Sequence, residues 1–208
     1  MSESPPAPRD RAPRDRTGTQ RRIVDAGEVL LLRDGFPGLN VQTLAAEARC
    51  DRKLVYRYFE GTDGVVAKLA ARALAELLRT LDAAPNTAGE SQRAFARESL
   101  TAWLAALRAS PLSLRLMAWA LVEDTALNRR IEAERAALLQ AWMRERRPRL
   151  RTAPEGDAVA LNAVLLGAVQ QLALAEPSLA QVGGVTLDDA GFARIQTALD
   201  ALLAVFPD

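Results

Sequence analysis

The residues with the most specific chemistry lie between positions 40 and 62. Asp51 is a good helix-capping residue, so Arg52 and Lys53 fall in the exposed first turn of the short helix that follows. A guanidinium placed there can donate two hydrogen bonds to O6 and N7 of guanine, and an ammonium reaches the same edge. Tyr56, Tyr58, Thr43 and Thr62 carry hydroxyls able to donate to phosphate oxygens, the Asn40 amide can do the same, and Arg57 adds a cation. Leu54 suits contact with a thymine methyl and equally suits packing against a neighbouring helix. This is recognition chemistry, aimed at a polyanion with hydrogen-bonding base edges.

Catalytic chemistry is poorly supplied. The 208 residues contain no histidine, which removes imidazole metal sites and Ser-His or Cys-His pairs. Cys50 is the one cysteine, so no intrachain disulfide or multi-cysteine metal site can form. Arg49 and Arg52 flank Cys50 and favour a thiolate, but a small buried hydrophobe is the expectation there. We expect no cofactor, no metal and no enzyme. Lys+Arg is 27 against 26 Asp+Glu, so overall charge does not announce a nucleic-acid partner.

These side chains need rigid elements, and the pattern supplies helices. Aromatics are 5% of the chain, and no run alternates convincingly as a strand. We expect an all-α fold of about nine helices. Ile23, Ala26, Leu30 and Leu31 share a face of a helix that Gly35 ends. Asn40 caps Val41–Ala48, Asp51 caps Arg52 to about Phe59, and Thr62 caps Asp63–Leu81. After a loop over Asp82–Glu90 come helices at about Ser91–Ala109, Pro111–Val122, Thr125–Arg147, Asp157–Ala175 and Asp188–Val205, with Glu176–Leu187 as a loop. Two short helices across a tight turn, behind a longer packing helix, make a helix–turn–helix. Its second helix enters the major groove.

The 46 residues 21–66 resemble the DNA-binding domain of the tetracycline-repressor (TetR) family. The resemblance rests on Gly35-Phe36, Val41-x-x-Leu44-Ala45 and Tyr56-Arg57-Tyr58-Phe59 ahead of a capped helix. It departs at Arg49, where the family has a turn glycine, at Asp51 and Leu54, where it has small or hydroxyl residues, at Thr62, where it has lysine, and at Gly27, where it has alanine. The resemblance implies that Gln42 also reads a base edge. It further implies a homodimer on a palindromic double-stranded DNA operator, released or retained according to a small-molecule effector, most often as a repressor. Residues 1–17 then form a Pro/Arg-rich arm, either solvated or touching phosphates. Residues 18–62 form the helix–turn–helix DNA-binding domain, and 63–208 the effector-binding and dimerisation domain.

Within that last region Trp103, Met117, Trp119 and Trp142 are large apolar residues for a pocket or for plain core, and Gln170 is a polar partner for an effector. No acidic cluster accompanies them, so an apolar or neutral effector is expected. Ala160, Ala163 and Gly167 give the next helix a small-residue face that can approach a second helix closely, with Gln171 beside them. The five arginines of 143–151 read as a solvated helix end. Residues 158–175 lack charge, but Asn162, Gln170 and Gln171 interrupt them, so a buried helix in a cytoplasmic protein is expected rather than a membrane span. The competing reading is a helical small-molecule-binding protein whose helix–turn–helix no longer binds DNA.

Overall fold

The structure is a computed structural model that describes residues 16–89, 91–147 and 158–205. The described residues fold into nine α-helices: α1 (Arg16–Asp34), α2 (Val41–Glu47), α3 (Arg52–Phe59), α4 (Thr62–Asp82), α5 (Gln92–Arg108), α6 (Pro111–Val122), α7 (Ala126–Arg146), α8 (Ala158–Ala175) and α9 (Asp189–Leu202). The all-α expectation holds, with one addition. Gln181–Val182 (β1) and Val185–Thr186 (β2) pair antiparallel inside the stretch expected to be loop. Gly183 and Gly184 both take positive φ, 58° and 79°, which is what a two-residue hairpin turn demands. The signal was the Gly-Gly pair, not strand alternation, which two-residue strands are too short to show.

Helix ends follow the local chemistry. Gly35 (φ 71°) stops α1 and donates its N–H to the Leu31 carbonyl at 3.1 Å. Phe36–Gly38 then forms one 3₁₀ turn. Asn40 Oδ1 accepts from the amides of Gln42 and Thr43, each at 3.0 Å, while the Asn40 amide donates to Thr43 Oγ1 at 3.1 Å, a reciprocal capping box. Asp51 accepts from the Lys53 amide at 2.8 Å. Thr62 is not a cap. Gly61 (φ 126°) holds that position without a side-chain bond, and Thr62 is the first helical residue. α1 starts two residues before the expected start of the DNA-binding domain at residue 18, and residues 1–15 of the arm lie outside the described residues, as do 148–151 of the arginine-rich segment.

Two cores organise the helices. The first joins Ile23, Leu30, Leu31, Leu44, Val55, Phe59 and the α4 residues Val65–Ala73 with Leu112 and Leu116 of α6. The second joins Leu77 and Leu81 of α4 with α5, α7, α8 and α9 around Trp103, Leu107, Trp142, Val169 and Leu199. α4, α6 (through Leu114 and Met117 in the second core) and α7 (through Ile131 in the first) therefore run through both. Gly27 looks like a flaw in α1, but a Cβ there would sit 2.9 Å from Val65 Cγ1, so its absence lets α1 lie close on α4. Arg72 fastens the same pair of helices through Glu28 (2.5 Å) and Asp25 (2.7 Å).

At the far end Arg108 holds Glu176 at 2.8 Å and Asp189 at 3.1 Å, and its guanidinium lies 4.0 Å from the Phe192 ring centre. This one arginine ties the end of α8 to the start of α9. No helix among the described residues is long and apolar enough to cross a membrane.

Candidate nucleic-acid interface

The capping box sets the entry of α2, and the turn after it sets α3. Arg49 occupies the left-handed region (φ 50°), and its neighbour's amide, Cys50 N–H, donates to Ala45 O at 2.9 Å. Glu60 (φ 61°) and Gly61 then redirect the chain from α3 into α4. The approach is close enough that a Cβ on Gly64 would overlap the Phe59 carbonyl oxygen. Val55 and Phe59 are buried, which turns the opposite face of α3 outward.

On that outward side the starts of α2, α3 and α4 enclose a cleft of about 580 Å³. Six of the residues singled out from sequence line it: Asn40, Gln42, Arg52, Lys53, Tyr56 and Thr62. They come from three elements across 23 residues of chain, yet face one space. Tyr56 is 58% exposed although aromatic. Arg52, Lys53 and Arg57 are exposed, and no carboxylate among the described residues pairs with them, unlike Arg33, Arg72 or Arg108. An unneutralised cationic rim around a polar cleft is suited to phosphate and base edges.

Val41 also lines the cleft and was missed from sequence, because its spacing reads as an ordinary packing position. Four sequence candidates lie off the cleft wall. Leu54 and Tyr58 are half-buried against the first core, and the guanidinium of Arg16 stands 5.7 Å from the Tyr58 ring centre. Arg57 is exposed beside them. Thr43 Oγ1 is held by the capping box and donates to Gly38 O at 2.7 Å. Cys50 is half-buried, and burial pushes its thiol up from the ordinary range, partly opposed by Arg22. It packs against the first core as a thiol.

The residues assigned to an effector pocket divide. Trp103, Met117 and Trp142 are buried together in the second core. Trp119 does not join them. It stacks on Phe36, with ring centres 3.9 Å apart and planes 17° off parallel, against the first core. α6 turns Met117 and Trp119 to different sides, so one helix touches both cores. Gln170 is half-buried and accepts from Arg135 Nη1 at 3.4 Å. Arg135 and its ion-pair partner Glu132 were not singled out, since charges on a long helix read as solvated. Ala160, Ala163, Gly167 and Gln171 lie on one exposed face of α8 with Val164, and among the described residues nothing beyond the helix's own backbone stands within 4 Å of a Cβ built on Gly167.

No family model matches the chain. Over 128 residues it is 27% identical to the HTH-type transcriptional repressor SCO4008 of Streptomyces coelicolor, a match covering 60% of each protein. Among solved structures it resembles the multidrug binding protein EbrR complexed with malachite green (22% identity, TM-score 0.60, covering 94% of this chain and all of that one). It also resembles a transcriptional regulator from Rhodococcus sp. RHA1 (18%, 0.59, 90% and 95%) and a TetR family transcription regulator from Marinobacter aquaeolei VT8 (14%, 0.54, 92% and 97%).

Proposed function

We propose that this chain, whose fold is that of the TetR-family regulators, is a ligand-responsive transcriptional repressor that binds a palindromic operator as a homodimer. The observation that carries the reading is the cleft in which Asn40, Gln42, Arg52, Lys53, Tyr56 and Thr62 meet under a rim of unpaired cations. Arg52 and Lys53 read base edges from the major groove. Gln42 reads an edge from α2. Asn40, Tyr56, Arg57, Tyr58 and Thr62 position the domain on phosphates, while Thr43, whose hydroxyl donates to Gly38 O and whose amide donates to Asn40, fixes the start of α2, and Leu54 meets a thymine methyl at the margin of the first core. Residues 18–62 act as the DNA-binding domain and 63–208 as the effector-binding and dimerisation domain, in the cytoplasm where the DNA is.

The exposed small-residue face of α8, with Ala160, Ala163, Gly167 and Gln171, docks on its copy together with α9, whose Leu202 is 58% exposed. Two-fold symmetry then presents two copies of α3 to half-sites about 34–36 Å apart. An apolar or neutral effector enters near Trp103, Met117, Trp142 and Gln170. α6 is one physical link, beside α4, because Met117 belongs to the second core and Trp119 grips Phe36 next to the helix–turn–helix. An effector must bind one arrangement of α6 more tightly than the other to shift the equilibrium.

The test is footprinting of the purified full chain on DNA flanking its own gene. A protected two-fold symmetric site is expected. No preference for any flanking fragment would favour a small-molecule-binding protein with a silent helix–turn–helix.

A further inference from the structure

Where α5, α7 and α8 meet, the second core contains polar groups that a purely structural core would not need. Arg135 is only 14% exposed at its side chain. It pairs with Glu132 one turn back on α7, donates to Gln170 of α8 at 3.4 Å, and stands 5.8 Å from the ring centre of Trp103 on α5. The pair is net neutral. Two buried atoms in this cluster have no hydrogen-bond partner among the described residues: the Nε1–H of Trp103, a residue wholly buried, and Oε1 of Glu132. One is a donor and the other an acceptor. A buried polar atom without a partner is costly, so each such atom needs an explanation.

We infer that this cluster is the recognition site for an uncharged, mainly apolar ligand that carries both a hydrogen-bond acceptor, for Trp103 Nε1–H, and a hydrogen-bond donor, for Glu132 Oε1. The inference rests on the ligand-responsive reading above and sharpens it. The Arg135–Glu132 pair decides the charge. Arg135 is held on Oε2, so a ligand can meet Glu132 Oε1 or Trp103 Nε1–H without breaking the pair, but an organic ion would bring a net charge into a site whose own two charges already cancel and from which burial removes much of the water. A hydroxyl and a carbonyl on one aromatic or aliphatic body leave the pair intact and satisfy both orphaned atoms. Leu139, Leu165 and Val169 of the same core supply the apolar wall.

The test uses the full-length protein and three probes on one scaffold: 6-acetyl-2-naphthol, 6-hydroxy-2-naphthoate and the trimethylammonium derivative of 2-naphthylamine. Binding is read by calorimetry at pH 7, and DNA affinity is measured separately without probe. The uncharged probe should bind about tenfold or more tighter than either ion. Trp103→Phe keeps the ring and removes the donor, and should weaken the uncharged probe by about 2- to 12-fold, the range of one net hydrogen bond. Glu132→Gln leaves Arg135 uncompensated and should turn the preference toward the naphthoate, which decides the matter even if Trp103→Phe fails to fold.

An ion binding as tightly as the uncharged probe would overturn the inference. So would unaltered preferences in Glu132→Gln, or no binding of any probe at millimolar concentration, which would mean that water alone fills the two positions. Loss of this site with DNA binding intact refutes the ligand class and leaves the DNA-binding reading standing. Absence of DNA binding refutes that reading itself.

Discussion

Helices α1–α4 and α5–α9 handle polar groups in different ways. Around α1–α3 and the first half of α4, the apolar residues interlock and the chemistry points outward to a cleft. Around α5–α9, polar atoms are kept inside. Every buried side-chain nitrogen or oxygen lacking a partner among the described residues belongs to α5, α6 or α7, and none to α1–α4, although one of them, on Trp119 of α6, lies against the first core. The difference suits a rigid reader joined to a more adaptable receptor. A reader loses affinity if its side chains wander, because a base edge accepts hydrogen bonds only over a narrow range of geometry. A receptor needs unsatisfied groups that a ligand can complete.

The contrast predicts that equivalent changes will act differently in the two regions. The largest effect is expected at the outward face of α8. Gly167→Arg should leave the protomer folded, because open space surrounds that position, yet abolish the proposed dimer, since symmetry places two new side chains in one interface. Sedimentation at micromolar concentration should show monomers for the variant and dimers for the parent protein. A dimer in both would move the interface elsewhere.

Next comes a glycine of the first region. Gly64→Ala should cost about 3 kcal/mol, because the added Cβ meets the Phe59 backbone and the α3–α4 corner has to open. Gly167→Ala, the same chemical change in the second region, should leave the protomer unharmed or raise its stability by about 0.5–1 kcal/mol through helix propensity. Urea denaturation of both variants measures the contrast. Equal losses would mean that the first region is no tighter than the second.

A smaller effect is expected at the turn between α2 and α3. Arg49 holds φ at 50°, where a side chain is strained and glycine is not. Arg49→Gly should raise stability by about 1 kcal/mol, with little change in DNA affinity if the Arg49 side chain makes no contact there. A fall in melting temperature would show that Arg49 is held by something other than backbone need.

Legibility in the sequence followed the same division. Asn40, Asp51 and Gly35 announce their helix ends because capping is decided within four residues. The buried faces of α1, α3 and α4 follow from the 3.6-residue period, and the cleft residues follow from what remains exposed. Gly27 was legible only as a departure from alanine, since its reason lies in Val65, 38 residues away. Trp119 shares a helix with Met117, and only the packing of α6 between two cores reveals that they face different partners. Glu132 and Arg135, three residues apart, and the exposed pair Arg130–Glu134, four apart, both carry ordinary spacings for ion pairs on a helix surface. Burial separates the two pairs, and burial is set by α5 and α8.

The most direct test of the account separates reading from positioning on the outward face. Fluorescence anisotropy should be recorded for the parent protein, Arg52→Ala and Arg57→Ala on the footprinted operator, on single-base variants and on random DNA across a series of salt concentrations. Arg52→Ala should cost about 1–3 kcal/mol on the operator and relax specificity at one base pair per half-site, with a smaller loss on random DNA. Arg57→Ala should weaken all sequences alike and flatten the slope of log K against log salt. Parent protein that prefers no sequence, with neither substitution changing affinity or slope, would contradict the claim that this cleft reads DNA.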